Sequence, residues 1–181
     1  LYGNGQGEFP ESYELQPDHG ALLPLLQTGM LQTTDLNGDQ VLDIVVGIAG
    51  SEYSDAPMIQ LFLSNGKRAY TEAPLIPLTG QLKTIHLFDA NQDGFTDILA
   101  AEGNQIRLEL LLNRGDGTFE ETIVKEMGNL SASLIAVADM NHDDQPDVLF
   151  FSSEQDDNLG VWLATLTPNN PILTQSNTVT S

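Results

Sequence analysis

The sequence predicts an all-β protein built from β-propeller blades of four antiparallel strands, about three blades plus the remnant of another. The first observation behind this prediction is an acidic loop that occurs three times, as DLNGDQVLD, DANQDGFTD and DMNHDDQPD, beginning at Asp35, Asp89 and Asp139. The second is that short apolar runs flank every copy. A repeat of roughly 50 residues with four short strands per unit is typical of propeller blades.

The first two strands of each unit are predicted on either side of its acidic loop. The runs before the loops are MLQTT, KTIHLF and LIAVA, and the runs after them are IVVGIAG, ILAAEG and VLFFSS. These runs are rich in β-branched or large apolar residues and have the length of strands. A helix would need such a pattern over about ten or more residues.

The third and fourth strands follow further along each unit. Third strands are predicted at MIQLFL, IRLELLL and LGVWLATL. Two of them end in a glycine-containing turn and an aromatic residue, SNGKRAY and NRGDGTF, as expected between antiparallel strands. Fourth strands are predicted at APLIPL and ETIVKEM, so two units have all four runs.

These runs divide the chain into three predicted blades with a piece at either end. GNGQGEF near the start matches NRGDGTF, which places the end of a preceding blade at residues 1–12. The three blades are expected at 13–80, 81–130 and 131–166, and residues 167–181 are expected to form a terminal strand or a linker. Propellers typically have about 4 to 8 blades, so we expect the missing ones elsewhere in a longer chain or in another subunit.

Composition and charge limit the partners. Of the 181 residues, 40% are hydrophobic, which is enough to bury the core of a soluble globular protein. The chain has 26 Asp and Glu against 6 Lys and Arg, a formal charge of −20, whereas nucleic-acid binding depends on Lys and Arg at the phosphates. We therefore expect no nucleic-acid partner. The absence of cysteine excludes disulfides, thiolate zinc sites and a cysteine nucleophile.

The sequence shows no recognisable targeting or membrane-spanning segment. It begins with Leu1, has no basic and then apolar opening, and its apolar runs are much shorter than the roughly 20 residues of a membrane-spanning helix. We expect no membrane insertion. We interpret the chain as processed or as a fragment of a longer one.

The three acidic loops have the residue pattern of a calcium site. Positions 1, 3, 5 and 9, counted from the first Asp, are Asp or Asn in every copy. Ca²⁺ takes about six to eight oxygen ligands, which alternate side chains of a tight loop can supply together with a backbone carbonyl near position 7. The predicted ligands are Asp35, Asn37, Asp39, Val41 and Asp43 in the first loop, Asp89, Asn91, Asp93, Phe95 and Asp97 in the second loop, and Asp139, Asn141, Asp143, Gln145 and Asp147 in the third loop. Up to three ions are expected, one per loop.

Two other interpretations apply to such loops. Asp and Asn are common in ordinary turns, where they bond their own backbone, so a single loop of this kind is more often a turn than a metal site. Identical spacing in three loops favours the metal site. An EF-hand would need a Glu at position 12 and flanking helices, but that position holds Val46, Ala100 and Phe150, and the flanks are strand-like.

The pattern D-x-N-x-D-G-x-x-D-[IV], followed by an apolar strand and an N-x-G-x-G-x-F turn, resembles the FG-GAP/VCBS repeats of integrin α-subunit propellers and of many secreted bacterial proteins. DIVVGIAG at 43–50 is also similar to the integrin form, although Ile48 and Ala49 depart from its Gly-Ala-Pro ending. The resemblance runs from Gly3 to about Thr165. It implies a β-propeller in which the twelve Asp and Asn residues of the loops bind calcium structurally. In such propellers the ligand-binding surface is usually built from other loops.

The three loops differ at position 6, where a residue at ease with positive φ is expected. The second loop has Gly94 there, whereas the first has Gln40 and carries its glycine at position 4, Gly38. The third loop has Asp144 and no glycine. We therefore expect the second loop to be the best calcium site, and His142 in the third loop to face solvent.

We expect a non-catalytic protein, with three functions open. His19, His86 and His142 lie in dissimilar contexts, and the sequence contains no catalytic motif that we recognise. The leading hypothesis is a calcium-stabilised extracellular or cell-surface module that binds a protein or glycan ligand in recognition or adhesion. The alternatives are a structural subunit of a surface or filament assembly, which packs against other subunits, and a non-catalytic propeller attached to a secreted enzyme. The location is expected because calcium is abundant outside the cytosol.

Overall fold

The fold is all-β. The computed structural model describes residues 6, 30–49, 56–67, 69–102, 107–120, 122–126, 132–140, 142–153, 159–167 and 170–176. Within these ranges thirteen strands form three antiparallel sheets, and there is no helix. The blade end predicted at 1–12 lies outside the described residues except for Gln6.

The first sheet consists of β1 (Leu31–Thr34), β2 (Asp43–Ile48), β3 (Met58–Ser64), β4 (Tyr70–Glu72) and β5 (Ile76–Pro77). Strands β1 to β4 pair in chain order, and β5 pairs with β3 beyond the end of β4. The outer strand is interrupted around Pro74, which has no N–H for a ladder bond. The buried Gln60 side chain donates to the carbonyl oxygen of Ala73 at 2.8 Å and so holds this interruption in place.

The second sheet consists of β6 (Leu82–Phe88), β7 (Asp97–Glu102), β8 (Arg107–Leu111) and β9 (Ile123–Glu126), paired in chain order. The turn between β8 and β9 is closed by a bridge between Asn113 and Phe119. Inside it, the N–H of Arg114 donates to the carbonyl oxygen of Thr118 at 2.9 Å. Gly115 and Gly117 have φ of 84° and 78°, which is the conformation that glycine adopts without strain.

The third sheet consists of β10 (Ala132–Ala138), β11 (Asp147–Ser153), β12 (Leu159–Thr167) and β13 (Asn170–Ser176), also paired in chain order. Strand β13 lies within residues 167–181, which were expected to form a terminal strand or a linker. It pairs with β12. The predicted fold class of four-stranded antiparallel sheets is confirmed. The sheets are consistent with partial β-propeller blades.

Two apolar clusters lie between neighbouring sheets. On β7, Ile98 and Ala100 face the first sheet, whereas Leu99 and Ala101 face the third, as the period of two in a strand requires. The first cluster joins the first two sheets and includes Met30, Val45, Leu61, Leu82, Ile85 and Leu111. The second cluster includes Leu108, Leu110 and Val148 and joins the second sheet to the third. The sheets therefore pack face to face through both sides of the second sheet.

The part of the chain that the structure describes contains no helix that is long and apolar enough to cross a membrane.

Candidate metal centre

Each acidic loop connects the first strand of its sheet to the second. The three loops are neighbours in space. The hydroxyl oxygens of Thr34 and Thr96 lie 3.1 Å apart and join the first loop region to the second. The Gln92 side chain donates to the carbonyl oxygen of Asp144 at 2.6 Å and joins the second loop to the third. The structure thus brings the predicted sites into one row.

The Asp at position 9 begins the second strand of each sheet and is 0% exposed in all three. In the second loop, one oxygen of Asp97 accepts the N–H of Ala90 at 2.8 Å, and the other accepts the N–H of Asn113 at 2.8 Å. Equivalent bonds join Asp43 to Leu36 and Ser64, and Asp147 to Met140. Hydrogen bonds from the backbone make burial of a carboxylate tolerable. Position 9 therefore ties the loop to the second and third strands.

The Asp at position 1 closes each loop around its carboxylate. In the first loop, Oδ1 of Asp35 accepts the N–H of Gly38 at 2.8 Å, and Oδ2 accepts the N–H of Gln40 at 2.7 Å. Asp89 accepts the N–H of Gly94 in the same way, and Asp139 accepts that of Asp144. These are the local bonds by which Asp favours turns. These bonds within the loop fix its conformation.

Positions 3, 5 and 7 continue this pattern on the exposed side of the loop. Oδ1 of Asn37 accepts the N–H of Asp39, and Oδ1 of Asp39 accepts the N–H of Val41 at 2.8 Å. The second loop repeats both bonds with Asn91, Asp93 and Phe95, and the third repeats the bond from Gln145 to Asp143. Asn141 lies outside the described residues.

Two positions in every loop have a left-handed backbone. Position 6 has positive φ as predicted, and position 4 has it as well. Each of the first two loops therefore has one glycine and one glutamine in these places, Gly38 with Gln40 and Gln92 with Gly94. The third loop has His142 and Asp144, both with φ of 62°. A non-glycine residue in this region costs roughly 1–2 kcal/mol, so the third loop has the most strained backbone.

The carboxylates of each loop affect one another electrostatically. Burial is the main reason that the pKa of Asp97 is raised to about 6; the N–H groups of Asn113 and Ala90 act to lower it, and the charges of Asp93 and Asp89 act to raise it. Burial likewise raises the pKa of Asp43, with Asp39 and Asp35 acting in the same direction. The first and second loops therefore concentrate negative charge around a buried carboxylate.

Asp139, at position 1 of the third loop, has a lowered pKa, in contrast to the raised pKa of Asp43 and Asp97 at position 9. Burial acts to raise the pKa of Asp139, but the N–H groups of Asp144, His142 and Asp143 together hold it below its usual range. This carboxylate is therefore stabilised in its charged form.

The donor chemistry of the loops fits Ca²⁺, which takes carboxylate, amide and backbone carbonyl oxygens. Among the described residues no group of three carboxylates or imidazoles already surrounds one point. The oxygens at positions 1 and 9 accept backbone N–H groups instead, as described for Asp35 and Asp97. A carboxylate has about four lone-pair sites, so these oxygens can accept an N–H and still ligate a cation.

Asn113 is a buried residue that contacts the loop region, and the sequence alone did not single it out as part of the site. It is 3% exposed, and its side chain donates to the carbonyl oxygens of Leu36 at 2.8 Å and Thr96 at 3.0 Å. It therefore contacts the first and second loops together. The signal in the sequence is its place at the head of the NRGDGTF turn, as the Asn of the N-x-G-x-G-x-F pattern.

An open groove of about 390 Å³ lies between the first sheet and the turn after β8. Its walls are largely apolar, and its acidic residues include Asp116. The side chain and N–H of Thr118 donate to Asp116 and lower its pKa, so this carboxylate stays ionised and is unsuited to act as a general acid. Elsewhere, His142 is exposed as predicted, and His19 lies outside the described residues.

Comparison with models of known protein families identifies a repeat family in this chain. The FG-GAP-like repeat model matches the chain twice, at residues 35–100 and 89–150. Each match begins at position 1 of an acidic loop and extends beyond position 9 of the next one. No curated protein matches the chain significantly. Since the two matches together span more than half of the sequence, the chain belongs to the FG-GAP-like repeat family.

Proposed function

We propose that the chain is a calcium-binding β-propeller repeat module in which each acidic loop holds one Ca²⁺. The observation that carries this proposal is the same set of oxygen donors at positions 1, 3, 5, 7 and 9 of three loops that lie side by side. The chain has only 6 Lys and Arg with which to neutralise these carboxylates. A divalent cation would offset the repulsion among them.

The residues of each loop have separate tasks in this proposal. Positions 1 and 5 supply charge, and position 3 supplies an amide oxygen. Position 9 connects the ion to the sheet, since the carboxylate of Asp97 is held by the N–H groups of Ala90 and Asn113. When bound, the ion supplies only positive charge and a fixed centre for the ligands. Calcium would thus stabilise the sheet as well as the loop.

The direct test is the stability of the purified protein with and without calcium. A ligand that binds only the native state raises the unfolding free energy by RT ln(1 + [L]/Kd), about 2.7 kcal/mol at a hundredfold excess over Kd. We expect thermal melting in EGTA to occur well below melting in calcium. Magnesium at equal ionic strength controls for charge screening. Equal melting temperatures in all three conditions would refute calcium binding.

We further propose that the module acts outside the cytosol in recognition or adhesion, with a protein or glycan ligand. Calcium sites of modest affinity are filled where the ion is abundant, and a strongly acidic surface favours solubility. Repeats of this family are generally non-catalytic, which supports a binding role.

Glycan-array binding combined with native mass measurement separates recognition from assembly. Capture of a ligand by monomeric protein supports recognition. Discrete oligomers without ligand binding would instead support the structural subunit.

A further inference from the structure

Asn113 belongs to a buried hydrogen-bond network that links the first two acidic loops. Its N–H donates to Asp97 at position 9 of the second loop, at 2.8 Å. Its side-chain amide donates to the carbonyl oxygen of Leu36, at position 2 of the first loop. The N–H of that same Leu36 donates to Asp43, at position 9 of the first loop, at 2.9 Å. Asn113 and Leu36 thus connect two buried carboxylates, one from each predicted calcium site.

The same junction is reinforced at the Leu36 carbonyl and within the turn. The N–H of Gly117 donates to the Leu36 oxygen at 3.1 Å, so this carbonyl accepts two donors from the second sheet. Oδ1 of Asn113 accepts the N–H of Gly115 at 2.9 Å, which fixes the orientation of the side-chain amide. A movement of Asn113 would therefore disturb the turn and both loops together.

The other sheets have no asparagine at this place. In the first sheet the equivalent residue is Ser64, whose N–H donates to Asp43 and whose hydroxyl accepts the N–H of Gly66. In the third sheet the strand register places Leu166 there, because Asp147 lies opposite Thr165. Leucine has no hydrogen-bonding side chain. Between the second loop and the third, the described residues include an exposed bond from the Gln92 side chain to the carbonyl oxygen of Asp144.

We propose that Asn113 couples the first and second loops, so that they order and bind calcium as a pair. The calcium part of this inference rests on the proposed function. Coupling between sites is carried by packed hydrogen-bond networks whose members move together, and it typically changes affinity by about 5- to 150-fold. Ordering of the second loop fixes the Asn113 backbone through Asp97 and so positions the side-chain amide, and ordering of the first loop fixes the Leu36 carbonyl that this amide bonds.

The decisive variant is Asn113→Ser, because Ser64 shows that serine maintains the local turn bond at the equivalent place. A serine hydroxyl keeps this bond and gives up the longer reach to Leu36. The matched control is Ser64→Asn, which changes the same residue types in the first sheet. All proteins carry Asp143→Asn to remove the third site, since an asparagine retains the Oδ1 that accepts the N–H of Gln145.

The calcium affinity of the first loop is then measured by isothermal titration with the second loop intact and with Asp93→Asn. In the protein that retains Asn113, we expect Asp93→Asn to lower the calcium affinity of the first loop by about fivefold or more. The ratio of the first-loop affinities without and with Asp93→Asn should fall to about one in the Asn113→Ser protein. In the Ser64→Asn protein this ratio should be the same as in the protein that retains Asn113. An unchanged ratio in the Asn113→Ser protein would overturn the inference.

Hydrogen exchange in EGTA tests the same coupling without calcium. The Leu36 amide should exchange severalfold faster in the Asn113→Ser protein, and at the parental rate in the Ser64→Asn protein. If no protein bound calcium, the proposed function would fail, and exchange would still decide whether Asn113 couples the loops. Parental exchange at Leu36 in the Asn113→Ser protein would contradict the inference.

Discussion

The first and third acidic loops have the same Asp and Asn spacing but different surroundings. Leu36 at position 2 of the first loop is 1% exposed, and its carbonyl accepts a bond from the second sheet. Met140 at the same position of the third loop is 50% exposed. The first loop has a glycine at one of its two left-handed positions, whereas the third has none. The contacts of a neighbouring sheet and the cost of the backbone therefore distinguish loops with identical ligand patterns.

The largest difference between these loops is expected from removal of the position 9 carboxylate. Asp43→Ala would leave the N–H groups of Leu36 and Ser64 without an acceptor. An unsatisfied buried donor costs about 1–3 kcal/mol, so we expect a loss of about 3 kcal/mol in urea denaturation with EGTA present. Asp147→Ala should cost less, because the Met140 residue that it bonds is half-exposed. An equal or larger loss for Asp147→Ala would invert the comparison.

A methyl group added at Gly47 should disturb the apolar packing between the first two sheets. A Cβ there would lie 2.8 Å from a methyl carbon of Leu82 and 3.1 Å from Cβ of Met30. Overpacking of this kind costs about 1–3 kcal/mol, which urea denaturation of Gly47→Ala would measure. Thr33→Ala, at an exposed position in β1, is the control and should change stability by less than about 0.5 kcal/mol. If Gly47→Ala were as stable as the parent, the packing around Leu82 and Met30 would be able to accommodate the methyl group.

Relief of the left-handed positions should make the third loop more like the other two. We expect His142→Gly to raise the unfolding free energy by about 0.5–1 kcal/mol, since the relief of strain exceeds the entropy that glycine adds to the unfolded chain. Gly94→Ala should lower it in the second loop by a similar amount, because φ there is 90°. Urea denaturation in EGTA measures both. A loss of stability in His142→Gly would mean that the side chain makes a needed contact.

The smallest expected effect is a pH dependence at His86 on β6. Burial lowers the pKa of His86 below its usual 6.5. The unfolded chain therefore takes up the proton first as the pH falls through 6.5, and stability should decrease toward the lower folded pKa. We expect His86→Leu to lose less stability than the parent between about pH 7.5 and about pH 5.5. Equal losses, measured by urea midpoints, would exclude a contribution from His86.

Much of the fold was predictable from the sequence because its signals are local and repeated. The runs MIQLFL and LGVWLATL coincide with β3 and β12 almost residue for residue. The interruption between β4 and β5 was not predicted, since APLIPL contains a single continuous pattern. It depends on the Gln60 side chain, which bonds Ala73 thirteen residues away.

The candidate site was predictable in its residues and less so in its surroundings. The spacing of Asp and Asn is visible in one loop, and so is the need for positive φ at position 6. The second left-handed position at Gln92 was not anticipated, because glutamine is an uncommon residue there. The role of Asn113 depends on Leu36, which lies 77 residues away in the sequence. Contacts between sheets of this kind have no local signature.

Native mass spectrometry of the intact protein, stripped of metal and then titrated with calcium, tests the metal sites most directly. We expect three calcium ions per chain at saturation, with one fewer in each of Asp39→Asn, Asp93→Asn and Asp143→Asn. Asparagine keeps the Oδ1 that accepts the position 7 N–H, so the loops should remain folded. Absence of bound calcium would contradict calcium binding at these loops. So would an unchanged number of bound calcium ions in a protein that carries all three substitutions.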